Sequence, residues 1–482
     1  MSTLKHKTAT GILWNAIDKF AVQGIQFLLG IIIARILSPS DFGLIGMLTI
    51  FIVLAQLLID SGFGKALIQK KNRNDVDFST VFYFNLLFSI ILYFILFFTA
   101  PLISQFYNIP TLTILTRVLA LSIIINSFSV VQTAKFAIGL EFKKMALINF
   151  IAVIISGTIG IIAAYSGFGV WSLVIQTLTK AFIVALLFWI FSRWTPLFVF
   201  SFASFKELFH FGSKLLGAGV IATFFQNIYT LLIGKFFSAS TLGYYTRGVQ
   251  FSEFSSGTIT SILQNVSFPV LSSLQDDKEK LFAVYKKFVR LSAFIIFPLM
   301  TLLALLADPF IRILLTDKWL LTIPILQWLC FARIFTPIST LNMNILNVLG
   351  RSDLFLKLDI LKIPIMVAIL VIALPLGIKA VVIGSLIDSF IAFFINTYYP
   401  GKFFNFGAVS QLKEISKIML ATLLMAAIVF FFCYFMDSMV LKLFSGAILG
   451  VSSYLFISKV LKINEFCLIE EFFFKTLLKF KP

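Results

Sequence analysis

The side chains of this 482-residue sequence that could do chemistry are ions and amides set inside long apolar runs. Five cations, Lys19, Lys180, Lys214, Arg247 and Arg333, share such runs with two carboxylates, Asp60 and Glu253. Amides accompany them at Asn15, Gln23, Gln26, Gln250 and Gln264. A charge at mid-bilayer costs about 2.5–3.5 kcal/mol on insertion scales, so such groups face a protein-lined or watery interior and mark function by default. The excess of cations suits an anionic ligand such as a diphosphate, held by charge-assisted hydrogen bonds. Asp60 and Glu253 are expected to take up a proton during a cycle, because burial favours the uncharged carboxyl. Nothing here forms a catalytic constellation. The only histidines are His6 and His210, and Cys330, Cys433 and Cys467 have no paired spacing. No catalytic residue, metal or cofactor is therefore assigned.

These groups recur at helical spacing. Asn15, Asp18 with Lys19, Gln23 and Gln26 fall on one face of Gly11–Gly43, a stretch long enough to cross a bilayer. Thr49, Gln56 and Asp60 lie at i, i+7 and i+11. Arg247, Gln250, Glu253, Gly257, Thr260 and Gln264 make the longest stripe. Arg333, Thr336, Thr340, Asn344 and Asn347 line up beside Pro337, which is expected to kink its helix. Arg35, Lys65, Arg117, Lys235 and Lys362 sit near span edges and read as snorkelling side chains. Asp359 and Asp388 read as structural or edge residues.

The elements that position these groups follow from composition. With 60% hydrophobic and 12% charged residues and a mean hydropathy of +1.02, no soluble class fits. The apolar runs are about twice the ten residues of a barrel strand, so the chain reads as an all-α polytopic membrane protein. Fourteen spans are expected, near 12–37, 43–68, 79–103, 113–134, 147–165, 171–191, 211–237, 242–268, 288–306, 320–347, 358–376, 380–398, 416–436 and 441–459. No cleavable signal peptide is read, so the first span should act as an uncleaved anchor. Residues 464–482, with Phe472-Phe473-Phe474 among lysines, read as an interfacial helix.

Charge distribution sets the topology. With the N-terminus inside, the inside segments carry 25 Lys and Arg and the outside loops only Arg312, Lys318, Lys379 and Lys442. The positive-inside rule thus places both termini in the cytoplasm. The net charge of +18 belongs to these clusters, which touch anionic membrane lipids; nucleic acid is not expected as a partner.

The outside hairpins are short and repeat. Ser38-Pro39-Ser40-Asp41 should cap the helix that follows it. Ile33–Gly43 (IARILSPSDFG) returns 200 residues later as Ile233–Gly243 (IGKFFSASTLG), with four of eleven positions identical and Gln26 matched by Gln226. Such repeats imply two pseudo-symmetric lobes enclosing a site. The expected organisation is a six-helix lobe at 1–191, a cytoplasmic linker at 192–210, a second six-helix lobe at 211–398, and an extra helix pair with tail at 399–482.

Ala34–Met47 (ARILSPSDFGLIGM), Ser61–Lys71 (SGFGKALIQKK), Asp77–Leu86 (DFSTVFYFNL), Gly243–Arg247 (GYYTR) and Phe268–Asp277 (FPVLSSLQDD) together resemble the polysaccharide-exporter branch of the MOP superfamily. The resemblance covers about residues 5–400. It implies a MATE-like pair of lobes around a central cavity, 14 helices and alternating access. It further implies a cargo of undecaprenyl-diphosphate-linked oligosaccharide, a lipid-linked anionic glycan, crossing a bacterial inner membrane, with polysaccharide polymerase machinery downstream. Two alternatives stand beside it. A MATE-type multidrug–cation antiporter should favour acidic over basic cavity residues. A membrane glycan polymerase needs an external acceptor site, most simply in a sizeable outside loop.

Overall fold

The structure, a computed structural model, describes residues 22–60 and 62–466. Those residues are mostly helical, without strands, and form two compact units, Met1–Gly243 and Tyr244–Pro482. Among the described residues, ten helical segments are long and apolar enough to cross a membrane. The expected interfacial helix at 464–482 lies largely outside the described residues, as do Asn15, Lys19 and Cys467.

The first unit runs through α1 (Val22–Ile36), α2 (Pro39–Asp60), α3 (Phe63–Gln69), α4 (Asp75–Tyr107), α5 (Thr111–Leu119), α6 (Leu121–Ser127), α7 (Val130–Ile138), α8 (Phe142–Tyr165), α9 (Val170–Ser192) and α10 (Phe202–Phe236). The α1–α2 hairpin closes as its sequence predicts. Ser38 N–H donates to Asp41 Oδ2 at 2.9 Å and Asp41 N–H returns to Ser38 Oγ at 3.3 Å, with Pro39 opening the helix. The expected span 43–68 is broken: Gly62 takes a left-handed φ of 75° and α3 restarts after it. The span expected at 113–134 is three short helices. Ser122, Ser127 and Ser129 hydroxyls bond the carbonyls of Leu119, Ile124 and Asn126, competing with the backbone ladder at each joint.

The second unit contains α11 (Ala239–Ser272, begun in the first), α12 (Lys278–Leu305), α13 (Ala307–Leu315), α14 (Thr322–Arg333), α15 (Thr336–Val348), α16 (Ser352–Ala373), α17 (Ile378–Asn396), α18 (Tyr398–Phe404), α19 (Ala408–Tyr434) and α20 (Met439–Val460). The span expected at 320–347 divides between α14 and α15, with Pro337 in the first turn of α15, where its missing N–H costs no ladder bond.

Lipid tails are as apolar as leucine, so close packing and polar pairing join these helices more than burial does. Small residues accordingly sit at the contacts. A Cβ on Gly157 would meet the Leu29 side chain at 2.2 Å, and one on Gly450 would meet Leu302 at 2.6 Å. Large apolar side chains such as Phe98, Ile162, Ile372, Ile448 and Phe456 point outward, the reverse of a soluble core. In the second unit Tyr285 Oη donates to Asn342 Oδ1, and Gln411 Oε1 accepts from Asn342 Nδ2 at 3.1 Å. That buried network ties α12, α15 and α19 together.

Candidate functional site

Each unit holds a cavity with polar side chains in its lining. In the first, about 500 Å³ is walled by α2, α3, α6, α7 and α10. Gln56 and Asp60 bring the α2 stripe to it, and Asn126, Ser129 and Thr133 face them. Asn126 Nδ2 donates to Gln56 Oε1 at 3.0 Å, and Gln56 Nε2 reaches Asp60 Oδ1 at 3.5 Å. The Ser129 and Thr133 hydroxyls bond backbone carbonyls at 2.8 Å. The α3 wall, seven residues long, is too short to be stable alone. Arg73 donates to the carbonyls of Leu67, Ile68 and Lys70 at its open C-terminus. Lys70 Nζ meets Asp77 Oδ1 and Glu207 Oε2, both at 2.9 Å. Burial works against the Lys70 ammonium, but these hydrogen bonds outweigh it and hold its pKa above the ordinary lysine value.

In the second unit a cavity of about 410 Å³ lies among α11, α15, α16 and α17. Thr336, Thr340, Asn344 and Asn347, the stripe expected from spacing, line one wall, and Gln264 reaches it from α11. Asp359 and Lys362, read from sequence as edge residues, line another as an ion pair at 2.6 Å. Asp388 of α17 lies within electrostatic reach of Lys362. From α17 come Ser389 and Asn396. Asn396 is only 4% exposed, and its Oδ1 has no hydrogen-bond partner.

The other candidates are placed as follows. Arg333 Nη1 pairs with Glu253 Oε2, joining the end of α14 to the α11 stripe, and the Glu253 carboxylate leans across Gly257, where a Cβ would meet Oε1 at 2.6 Å. Arg247 is buried, donates to Gln250 Oε1 and lies 5.9 Å from the Trp319 ring centroid. Lys180 is half-buried on α9, and Gln23 and Gln26 sit on α1. The backbone of Lys214 belongs to α10, but its side chain lies outside the described set. Among the described residues no group of three or more His, Cys, Asp or Glu could hold a metal. Asn126, Ser129 and Thr133, and Ser389 with Asn396, went unnoticed in the sequence. Their spacings of three, four and seven were the available signal, carried by neutral groups with no charge among them.

Helices long and apolar enough to cross a bilayer, folded around cavities with polar side chains in their linings, define a multi-pass membrane protein of transporter type. The chain belongs to the polysaccharide biosynthesis protein family, whose signature matches residues 32–324. It is similar to the teichuronic acid biosynthesis protein TuaB of Bacillus subtilis, 26% identical over 356 residues, covering 73% of this chain and 74% of TuaB. It is equally similar to the lipopolysaccharide biosynthesis protein WzxC of Escherichia coli, 26% identical over 397 residues, 82% and 80% of the two chains. Among solved structures, the lipid II flippase MurJ in an inward closed conformation superposes with a TM-score of 0.76 over 93% of this chain and 98% of that one, at 17% identity. That last likeness is one of fold.

Proposed function

We propose that this chain is a flippase, a transporter and not an enzyme. Its cargo is an undecaprenyl-diphosphate-linked oligosaccharide, which it carries across the bacterial inner membrane by alternating access. One observation carries the reading: a member of the polysaccharide biosynthesis family has, over nine-tenths of its length, the fold of a lipid II flippase. In this reading 14 helices form two lobes, 1–191 and 211–398, joined by the linker 192–210, with an added pair and tail at 399–482 and both termini in the cytoplasm. The diphosphate is met by cations drawn from Lys19, Lys180, Lys214, Arg247 and Arg333. Asp60 and Glu253 are the coupling carboxylates. Glu253 and Arg333 form one ion pair, which joins a coupling carboxylate to a cargo-facing cation. Polymerase machinery takes up the delivered unit on the far side.

Deleting the protein from its host tests this. Lipid-linked repeat units should accumulate on the cytoplasmic leaflet while surface polymer is lost. Units that reach the outer leaflet but stay unpolymerised would point to a polymerase. An unchanged glycan with altered drug sensitivity would point to the antiporter.

A further inference from the structure

We infer that the cavity among α15, α16 and α17 is a sugar-recognition site, built for the neutral rings of the oligosaccharide and not for its diphosphate. The inference rests on the flippase reading and adds where the glycan is read.

The buried Asn396 Oδ1 carries it. An unpaired buried acceptor costs about 1–3 kcal/mol and calls for an explanation. What it lacks is a donor. A diphosphate ionised at neutral pH offers acceptors almost exclusively, so it cannot complete Asn396 Oδ1. A sugar hydroxyl both donates and accepts, so it can meet Nδ2 of one amide and, with a turn of the Asn396 side chain toward the cavity, Oδ1 of another. Asn344 and Thr340 present groups of that dual character from α15. The two charges on the lining are already spent on each other, Lys362 Nζ against Asp359 Oδ1 at 2.6 Å, which leaves little net field for an anion. Phe355 adds an apolar surface for the C–H face of a pyranose. A volume near 410 Å³ falls within the roughly 300–1,000 Å³ of small-molecule sites, and most of its lining side chains are polar, as a hydroxyl-rich ligand needs. The cavity of the first unit lacks this invitation, since its Asn126, Gln56 and Asp60 side chains bond to one another.

The test uses the full chain in lipid nanodiscs and two probes. One is the free oligosaccharide released by mild acid from the host's lipid-linked pool, which has neither lipid nor diphosphate. The other is undecaprenyl diphosphate, which has no sugar. The oligosaccharide should bind the wild type, and Asn396→Leu should weaken it about tenfold, the loss of about one buried hydrogen bond. Undecaprenyl diphosphate should bind both forms alike. Asn344→Leu, on a different helix, should repeat the pattern, and gel filtration with thermal unfolding shows that both variants fold. Failure of the oligosaccharide to bind the wild type, or equal binding to Asn396→Leu, overturns the inference and leaves a cavity that holds water only. The two readings fail separately. If deletion abolishes surface glycan while Asn396→Leu exports at the wild-type rate, the sugar site falls and the flippase stands. If deletion leaves glycan untouched, the flippase reading falls and takes this site with it.

Discussion

In the unit formed by residues 1–243, the cavity amides face each other and one wall is a seven-residue helix held by ions. In the unit formed by residues 244–482, the walls are longer helices, and a buried amide oxygen stands without a partner. The first cavity is complete as it stands, and its stability is bound up with its lining. The second carries an unmet hydrogen-bonding demand and would gain from a ligand that donates. Two cavities of similar size thus divide between a site that closes on itself and a site that waits to be closed.

The comparison can be broken most severely where the two copies of the repeat are alike. Gly43 and Gly243 occupy matching positions, and each lies against the backbone of the other copy. A Cβ on Gly43 would stand 1.7 Å from the Ala239 carbonyl oxygen, and one on Gly243 would stand 1.8 Å from that of Pro39. Glycine inside a helix ordinarily gains about 0.5–1 kcal/mol on becoming alanine. Here a main chain must move instead of a side chain. Gly43→Ala and Gly243→Ala should each cost more than about 4 kcal/mol, the range of exceptional single substitutions. Loss of monodisperse protein in detergent would register it. Gly24→Ala, whose Cβ meets nothing within 4 Å among the described residues, is the control that should express normally.

A smaller effect should separate the two cavities. Lys70→Met strips the cation from Asp77, which is 1% exposed, and frees the end of α3. Breaking a buried pair costs about 3–5 kcal/mol, and the partial exposure of Lys70 puts this case at the low end. Hydrogen exchange should rise at 63–80 and stay unchanged along α15–α17. The pairing also predicts a pH dependence. A raised lysine pKa contributes stability that is intact below the ordinary value of about 10.4 and lost as pH climbs through the raised one. Wild type should therefore lose stability in that alkaline window, and Lys70→Met should show no such step. An identical alkaline profile for the two proteins would detach Lys70 from the wall.

How much of this was legible in the sequence depended on distance along the chain. The Ser38–Asp41 cap and the Thr336–Asn347 stripe are local patterns, and both appear where spacing put them. The α11 stripe was legible as a face but not as a site. Arg247 turns to Gln250 and Trp319, Glu253 takes Arg333, and Gln264 alone reaches the cavity. Periodicity places a residue on a face; the rotamer and the partner come from helices far away in sequence. Lys362 and Asp359 illustrate the opposite error. Lys362 was expected to snorkel near a span edge, yet it lies midway along α16, pairs with Asp359, which was read as structural, and lines a cavity.

The finest test asks whether the two cavity asparagines differ as their hydrogen bonds do. Asn126 Nδ2 holds Gln56 Oε1 at 3.0 Å, so Asn126→Leu leaves an amide oxygen without its donor and should cost about 1 kcal/mol of stability. Asn396→Leu removes an acceptor that had no partner and replaces it with apolar surface of similar size. Its stability should be unchanged or slightly higher, because the desolvation cost of that oxygen disappears with it. Thermal unfolding of the two variants side by side, in the same lipid and without cargo, reads the sign of the difference. If Asn396→Leu proves the costlier of the two, Asn396 is satisfied in the protein after all, and the contrast between a closed and an open cavity no longer holds.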